Sequence, residues 1–310
     1  MADAVLTQTA EKESWFHRNQ QAIAPWLFLA PGILFFAVYV IAPVFQSFNL
    51  SLYEWDGLGQ AEYVGLRNYE DLYWEFVDRD AFYTSLKNNV IWLLMYLLAI
   101  PAGLFIALFL NQTVFGIRLY KSLFFFPFVI SQVVVGLVFT WFYDPTFGLL
   151  NAMLGFFGLG PLNVMGNEHL VTYGIILAGL WPQTAYCMIL YLTGLNAVDP
   201  EQIEAGRLDG AKGLRMLWYI ILPQLRPATF IAFVVTIIGS LRSFDLISIM
   251  TGGGPFGSSR VLAYYMFEVA LSEYGFRMGY GAAIAVVLFL IMMCFITYFL
   301  WSMYREERGR

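Results

Sequence analysis

The 310-residue chain is 59% apolar and only 13% charged, with a formal net charge of −5. Soluble domains run about 45–50% apolar and about 25% charged, so this chain has too few charges for a water-facing surface and too much apolar area for one core. Its acidity and scattered bases argue against a nucleic-acid partner. Its two cysteines (Cys187, Cys294) and two isolated histidines (His17, His169) argue against a disulfide framework, a metal site or a resident cofactor.

Residues 1–24 carry Asp3, Glu11, Lys12, Glu13 and Arg18 with no short apolar core of a cleaved signal, and read as a polar cytoplasmic segment. Crossing about 30 Å of hydrocarbon takes roughly 20 apolar helical residues. Six stretches meet that length: residues 26–50, 88–110, 119–142, 170–192, 228–250 and 280–303. The expected fold class is an all-α membrane protein, with six transmembrane helices in a domain spanning 25–305 and a cytoplasmic tail at 306–310. Pro31, Pro43, Pro101, Pro127, Pro182 and Gly239 interrupt these stretches. Neighbouring helices in a membrane can satisfy the carbonyls such residues free.

With the N-terminus inside, eleven Lys and Arg fall in inner segments and five in outer ones, with Arg242 left within a span. The positive-inside rule then places both termini in the cytoplasm. The 51–84 loop, with its eight acids, falls outside.

The inner loop 195–226 is the most informative segment. Asp199 can cap a helix, Pro200 suits its first position, and Gln202 follows the cap by three. Gly210 can end that helix in a left-handed turn. A second amphipathic piece, 212–223, follows along the membrane face. Such a loop either lies at the interface or docks a cytoplasmic partner. For docking, small residues at 205, 206, 210 and 211 would admit another backbone, while Glu204, Arg207 and Asp209 would orient it.

The string Glu204-Ala205-Gly206-x-x-Asp209-Gly210-Ala211, nine residues, then Ile221-Leu222-Pro223 resembles the EAA loop of ATP-binding-cassette (ABC) importer permeases. Gly206 departs from the usual Ala. The resemblance implies a type I (MetI-like) permease fold in which Glu204, Ala205, Gly206, Asp209, Gly210, Leu222 and Pro223 meet a cytoplasmic ATPase. Phe244-Asp245-Leu246, Thr251-Gly252-Gly253-Gly254-Pro255 and Gly279-Tyr280-Gly281 narrow the resemblance to carbohydrate importers, on the side of the larger maltose-permease subunit. Taken alone, the Gly-rich string reads as a tight external turn. The resemblance covers residues 25–305. It implies a second homologous permease, two ATPase copies, an external solute-binding protein, and a place among the lipids of a bacterial inner membrane.

Sugar sites combine aromatic platforms with a few amides and hydroxyls. The fourth span offers Trp181, Gln183 and Tyr186; the fifth offers Thr236 and Ser240, one turn apart; the third offers Phe128 and, further on, Gln132. Trp181, Tyr186, Thr236 and Ser240 match sugar-contacting positions in the maltose-type subunit. Phe128 replaces a Tyr there, and Gly179 and Ser240 replace Asn, so the solute would be held differently from maltose. Helix packing accounts for each of these residues equally well. Arg242 and Asp245, three apart, are expected to pair on one helical face, with Arg242 as a reader of anionic solutes the lesser alternative.

The chain has no G-x-x-x-x-G-K-[ST] motif, so ATP hydrolysis would belong to another chain. Two alternatives stand beside the sugar importer. One is a permease for another small polar solute, such as a polyol, a glycerol phosphate ester or a sulfonated sugar. The other is a proton-coupled secondary transporter, which would need a mid-membrane carboxylate or His relay.

Overall fold

The computed structural model describes residues 15–112, 115–272 and 276–308. The expected polar segment is helical from Trp15, while residues 1–14 lie outside the described residues, as do 309 and 310 of the tail. The chain divides between Asn49 and Leu50 into two compact units. In the first, one apolar run, Ala24–Leu50, is long enough to cross a membrane. It carries a π-helical turn, Ala37–Ile41, between Pro31 and Pro43.

In the second unit the spans are Asp78–Leu110, Val171–Asn196, Arg226–Met250 and Met278–Arg305, with the pair Ile117–Val129 and Gln132–Phe142 between the first two. Counting that pair as one span gives the six expected. It is not straight: its halves meet at 97°. Ile130 is extended and Ser131 starts a new helix, its Oγ accepting the Val134 N–H.

The fourth span packs against the second, third and fifth. Small residues permit this, because membrane helices associate through close packing rather than through exclusion of water. A Cβ on Gly103 would stand 2.6 Å from Cys187 Cβ and 2.7 Å from the Met188 nitrogen.

One expectation is corrected. The fifth span is helical only to Leu241 and restarts at Asp245. Arg242 and Asp245 therefore do not share a helical face, and no ion pair joins them among the described residues. The Gly-rich string is a turn, with Gly252 and Gly253 at positive φ, and the stretch that follows it packs into the fold. Ser259, Val261 and Leu262 beyond it are fully buried. Asn88 on the second span donates through Nδ2 to the carbonyls of Ser258 (2.6 Å) and Arg260 (2.7 Å). Asn89 Oδ1 accepts the Leu262 N–H at 2.9 Å, and Thr172 Oγ1 donates to the Ser258 carbonyl at 3.2 Å. Side chains of the second and fourth spans thus replace the secondary structure that residues 251–261 lack.

A second tie joins the same end of the second and sixth spans. Arg277 Nη1 lies 2.8 Å from Asp78 Oδ2, and its guanidinium sits 4.0 Å over the Tyr280 ring. The Trp55 carbonyl accepts the Met278 N–H. A two-residue ladder pairing Tyr53 with Tyr63 is a minor addition to the expected all-α fold.

Replacing Asn88 by Leu would leave the Arg260 carbonyl without its donor and the Ser258 carbonyl with Thr172 alone, at about 1–3 kcal/mol for the stranded group. We expect this variant to unfold in detergent at a clearly lower temperature than wild type. Lys87→Leu, an exposed neighbour with no such bonds, should not.

Candidate functional site

A polar cavity of about 350 Å³ opens where the fifth span breaks. Tyr96, Gln132, Gln183, Arg242, Ser243 and Asp245 bring polar groups to it from the second to the fifth spans. Several are unspent. Gln132 Oε1 is shielded from solvent and meets no hydrogen-bond donor among the described residues. Arg242 and Asp245 are both exposed at the cavity, and neither forms an ion pair there. Gln183 spends Nε2 on Thr236 Oγ1 at 2.9 Å, which leaves Oε1 as an acceptor. Ser243 donates to the Gly239 carbonyl and is also hydrogen-bonded to the Tyr96 hydroxyl.

A larger cavity of about 810 Å³ lies on the concave side of the bent third span. Its wall is apolar, with Pro127, Phe139, Phe142, Leu177, Trp181 and Met188 among the lining residues.

The residues expected from the sequence are divided between these places. Gln183 reaches the polar cavity. Trp181 lines the apolar one, 6.0 Å from Phe139 between ring centroids. Tyr186 stacks on Phe128, with centroids 4.9 Å apart and planes 6° from parallel. Thr236 and Ser240 are fully buried, and the Ser240 hydroxyl donates to the Ile237 carbonyl at 2.8 Å. Thr236 thus orients Gln183 from behind the cavity wall. Tyr96, Ser243 and Asp245 were not among the expected contacts, and Arg242 was expected there only in the lesser alternative, as a reader of anions. The signal for the last two was present as charges in an apolar span, but the assumption of a continuous helix turned it into a pair.

The inner loop is a preformed two-arm unit. Its first arm is the helix Pro200–Leu208. Asp199 caps it, accepting the Glu201 N–H at 2.9 Å, and Gln202 reaches back to Asp199 Oδ2 at 3.4 Å. Gly210 closes it with φ of 81°, and the N–H groups of Gly210 and Ala211 donate to the carbonyls of Arg207 and Gly206. This is the Schellman arrangement of a glycine-ended helix. The second arm runs through Leu214–Met216, the π-helical turn Leu217–Ile221 and Leu222–Gln224.

Gly206 is where the arms meet. It is buried, and a Cβ there would collide with Ile220 Cδ1. Its missing side chain therefore makes room for the loop's own second arm. Glu204, Ala205, Asp209, Gly210 and Pro223 remain exposed, with Leu222 half-buried. Gln224 closes the unit: Oε1 accepts the Asp199 N–H at 3.0 Å, and Nε2 donates to the Ile220 carbonyl at 3.0 Å. Sequence reasoning passed over Gln224 because its partner is 25 residues away.

The family described as binding-protein-dependent transport system inner membrane component matches residues 89–304. A probable ABC transporter permease protein of Pyrococcus horikoshii is 35% identical over 290 residues, which cover 91% of this chain and 96% of the relative. The arabinooligosaccharides transport system permease protein AraP of Bacillus subtilis is 32% identical over 276 residues, covering 87% and 85%. A chain of a bacterial ABC transporter involved in the import of the acidic polysaccharide alginate shares the fold. Its TM-score is 0.78 at 20% identity, over 94% of this chain and 97% of that one. With most of its length matched, the chain belongs to the binding-protein-dependent inner membrane component family and is a permease subunit of an ABC transporter.

Proposed function

We propose that this permease moves a neutral carbohydrate, or a close derivative, through the polar cavity at the break of the fifth span. The observation that carries the reading is the cavity's unspent chemistry. Arg242 offers donors, while Asp245, Gln132 Oε1 and Gln183 Oε1 offer acceptors. A sugar hydroxyl donates and accepts at once, so a polyhydroxylated solute can use both kinds of group. A simple anion would be drawn to Arg242 and repelled by Asp245. Relatives named for arabinooligosaccharides, alpha-glucosides and trehalose/maltose favour the same solute class.

The remaining parts follow from that assignment. Loop 195–226 connects the fourth span, which brings Gln183 to the cavity, to the fifth, which brings Arg242 and Asp245. In our reading a cytoplasmic ATPase grips the exposed face of this loop through Glu204, Ala205, Asp209 and Gly210. Gly206, Leu222 and Pro223 keep its two arms together. Both termini are cytoplasmic, a second homologous permease completes the pathway, two ATPase copies drive it, and an external binding protein delivers the solute.

The direct test is uptake by proteoliposomes that contain this chain with its partner permease and ATPase. Uptake should require ATP, the ATPase and the binding protein. Uptake driven by a proton gradient without the ATPase would overturn the reading.

Three variants test the parts. Arg242→Gln and Asp245→Asn should each slow uptake of a neutral oligosaccharide roughly fivefold to thirtyfold, as loss of hydrogen bonds worth about 1–2 kcal/mol requires. Of the two, Asp245→Asn should improve acceptance of an acidic sugar relative to a neutral one. Gln224→Leu should leave the chain inserted and bound to its ATPase, but cut transport per ATP hydrolysed by roughly tenfold, on about 1.4 kcal/mol of lost positioning. Wild-type coupling in that variant would remove Gln224 from the mechanism.

A further inference from the structure

The segment between the third and fourth spans has no part in the reading above. Residues 145–167 contain no Asp, Glu, Lys, Arg or His. Within them lies the short helix Leu149–Phe156, which starts seven positions after Phe142, where the second half of the bent span ends. Its exposed positions are Leu149, Ala152, Met153, Gly155 and Phe156. All but Gly155 recur at the i, i+3, i+4, i+7 spacing of one helical face. The apolar face of this helix is thus turned outward. Phe147, Phe156 and Phe157 are 91%, 86% and 72% exposed.

The inward face is the one that carries the polar group. Asn151 Nδ2 donates to the carbonyls of Asp144 (3.2 Å) and Leu162 (3.0 Å), and its Oδ1 accepts the Leu162 N–H at 2.7 Å. Asp144 is engaged as well: its Oδ1 accepts the N–H groups of Phe147 and Thr146, which hold the carboxyl below the usual carboxylate range. The segment spends its polarity on its own closure and presents hydrocarbon.

We infer that residues 147–159 form an interfacial anchor, laid into the lipid boundary beside the end of the third span. Helices that lie in the interface bury an apolar face, of which Phe and Leu are typical members, about 5–10 Å into the boundary between headgroups and acyl chains. A soluble partner would be met by an interface with a polar rim, and a stretch without one charge supplies none. Continuity with the membrane span, only a few residues away, fixes the depth. The inference holds whichever side of the membrane faces the cytoplasm, so it stands apart from the transport reading. The closure by Asn151 joins the anchor to Asp144, two residues beyond the third span, and to Leu162.

The test is a nitroxide label at Phe156→Cys in a Cys294→Ser background, with the buried Cys187 kept, in the assembled importer in phosphatidylcholine liposomes. Leu58→Cys, on the charged 51–84 loop, serves as the water-exposed comparison. Met153→Cys is the second site should Phe156→Cys not assemble. Spin relaxation at 156 or 153 should be several times more sensitive to oxygen, which partitions into lipid, than to a water-soluble nickel chelate, with the order reversed at 58. Nickel equal to or ahead of oxygen at the anchor would place the segment in water and overturn the inference. Low access to both would show a protein cover, from a second permease or a binding protein, and would overturn it equally.

Discussion

No water reaches the hydrocarbon to satisfy a backbone group, so every polar group of the backbone must find its partner inside the protein or line a wet cavity. That constraint accounts for where this chain departs from plain helices. The interruptions at 130–131 and 242–244 both adjoin Gln132, Arg242 and Ser243, and there the polar cavity opens. The irregular stretch 251–261 is instead stitched by side chains, with Asn88, Asn89 and Thr172 standing in for a ladder. One rule therefore yields two outcomes: a binding cavity where the gap is left open and a rigid rim where it is filled.

The inner loop obeys the same accounting at a water-facing surface. Its first arm carries its own caps at both ends, so its shape does not wait for a partner. Gly206 and Gln224 then fix the second arm against the first. A partner that grips the exposed face moves both arms together, and with them the spans on either side.

How much of this could be read from the sequence depends on the distance over which each interaction acts. The six spans were legible because runs of roughly 20 apolar residues are sufficient evidence by themselves. The caps at Asp199 and Gly210 were legible because capping is local. The break before Asp245 was not, since neither Pro nor Gly occupies 242–244. The roles of Asn88, Asn89 and Gln224 were not, because their partners are remote in the chain. Among the expected solute contacts, Gln183 reaches the polar cavity, whereas Trp181 turns to the apolar one and Thr236 and Ser240 lie behind the wall. Spacing along a helix gave their faces, but which face meets which cavity is decided by neighbours that periodicity does not name.

The side-chain stitching of residues 251–261 makes the molecule mechanically uneven. At that end the second and fourth spans are hydrogen-bonded to the stretch 251–261, and the second span to the fifth through Asn89 and the Leu241 carbonyl. At the other end the fourth and fifth spans are joined through a loop whose arms rest on a glycine contact and one glutamine. A rod pinned at one end and loaded at the other is a lever. In the proposed coupling to an ATPase, a displacement of that loop would tilt the fourth span about its pinned end, and Gln183 at the cavity would move with it.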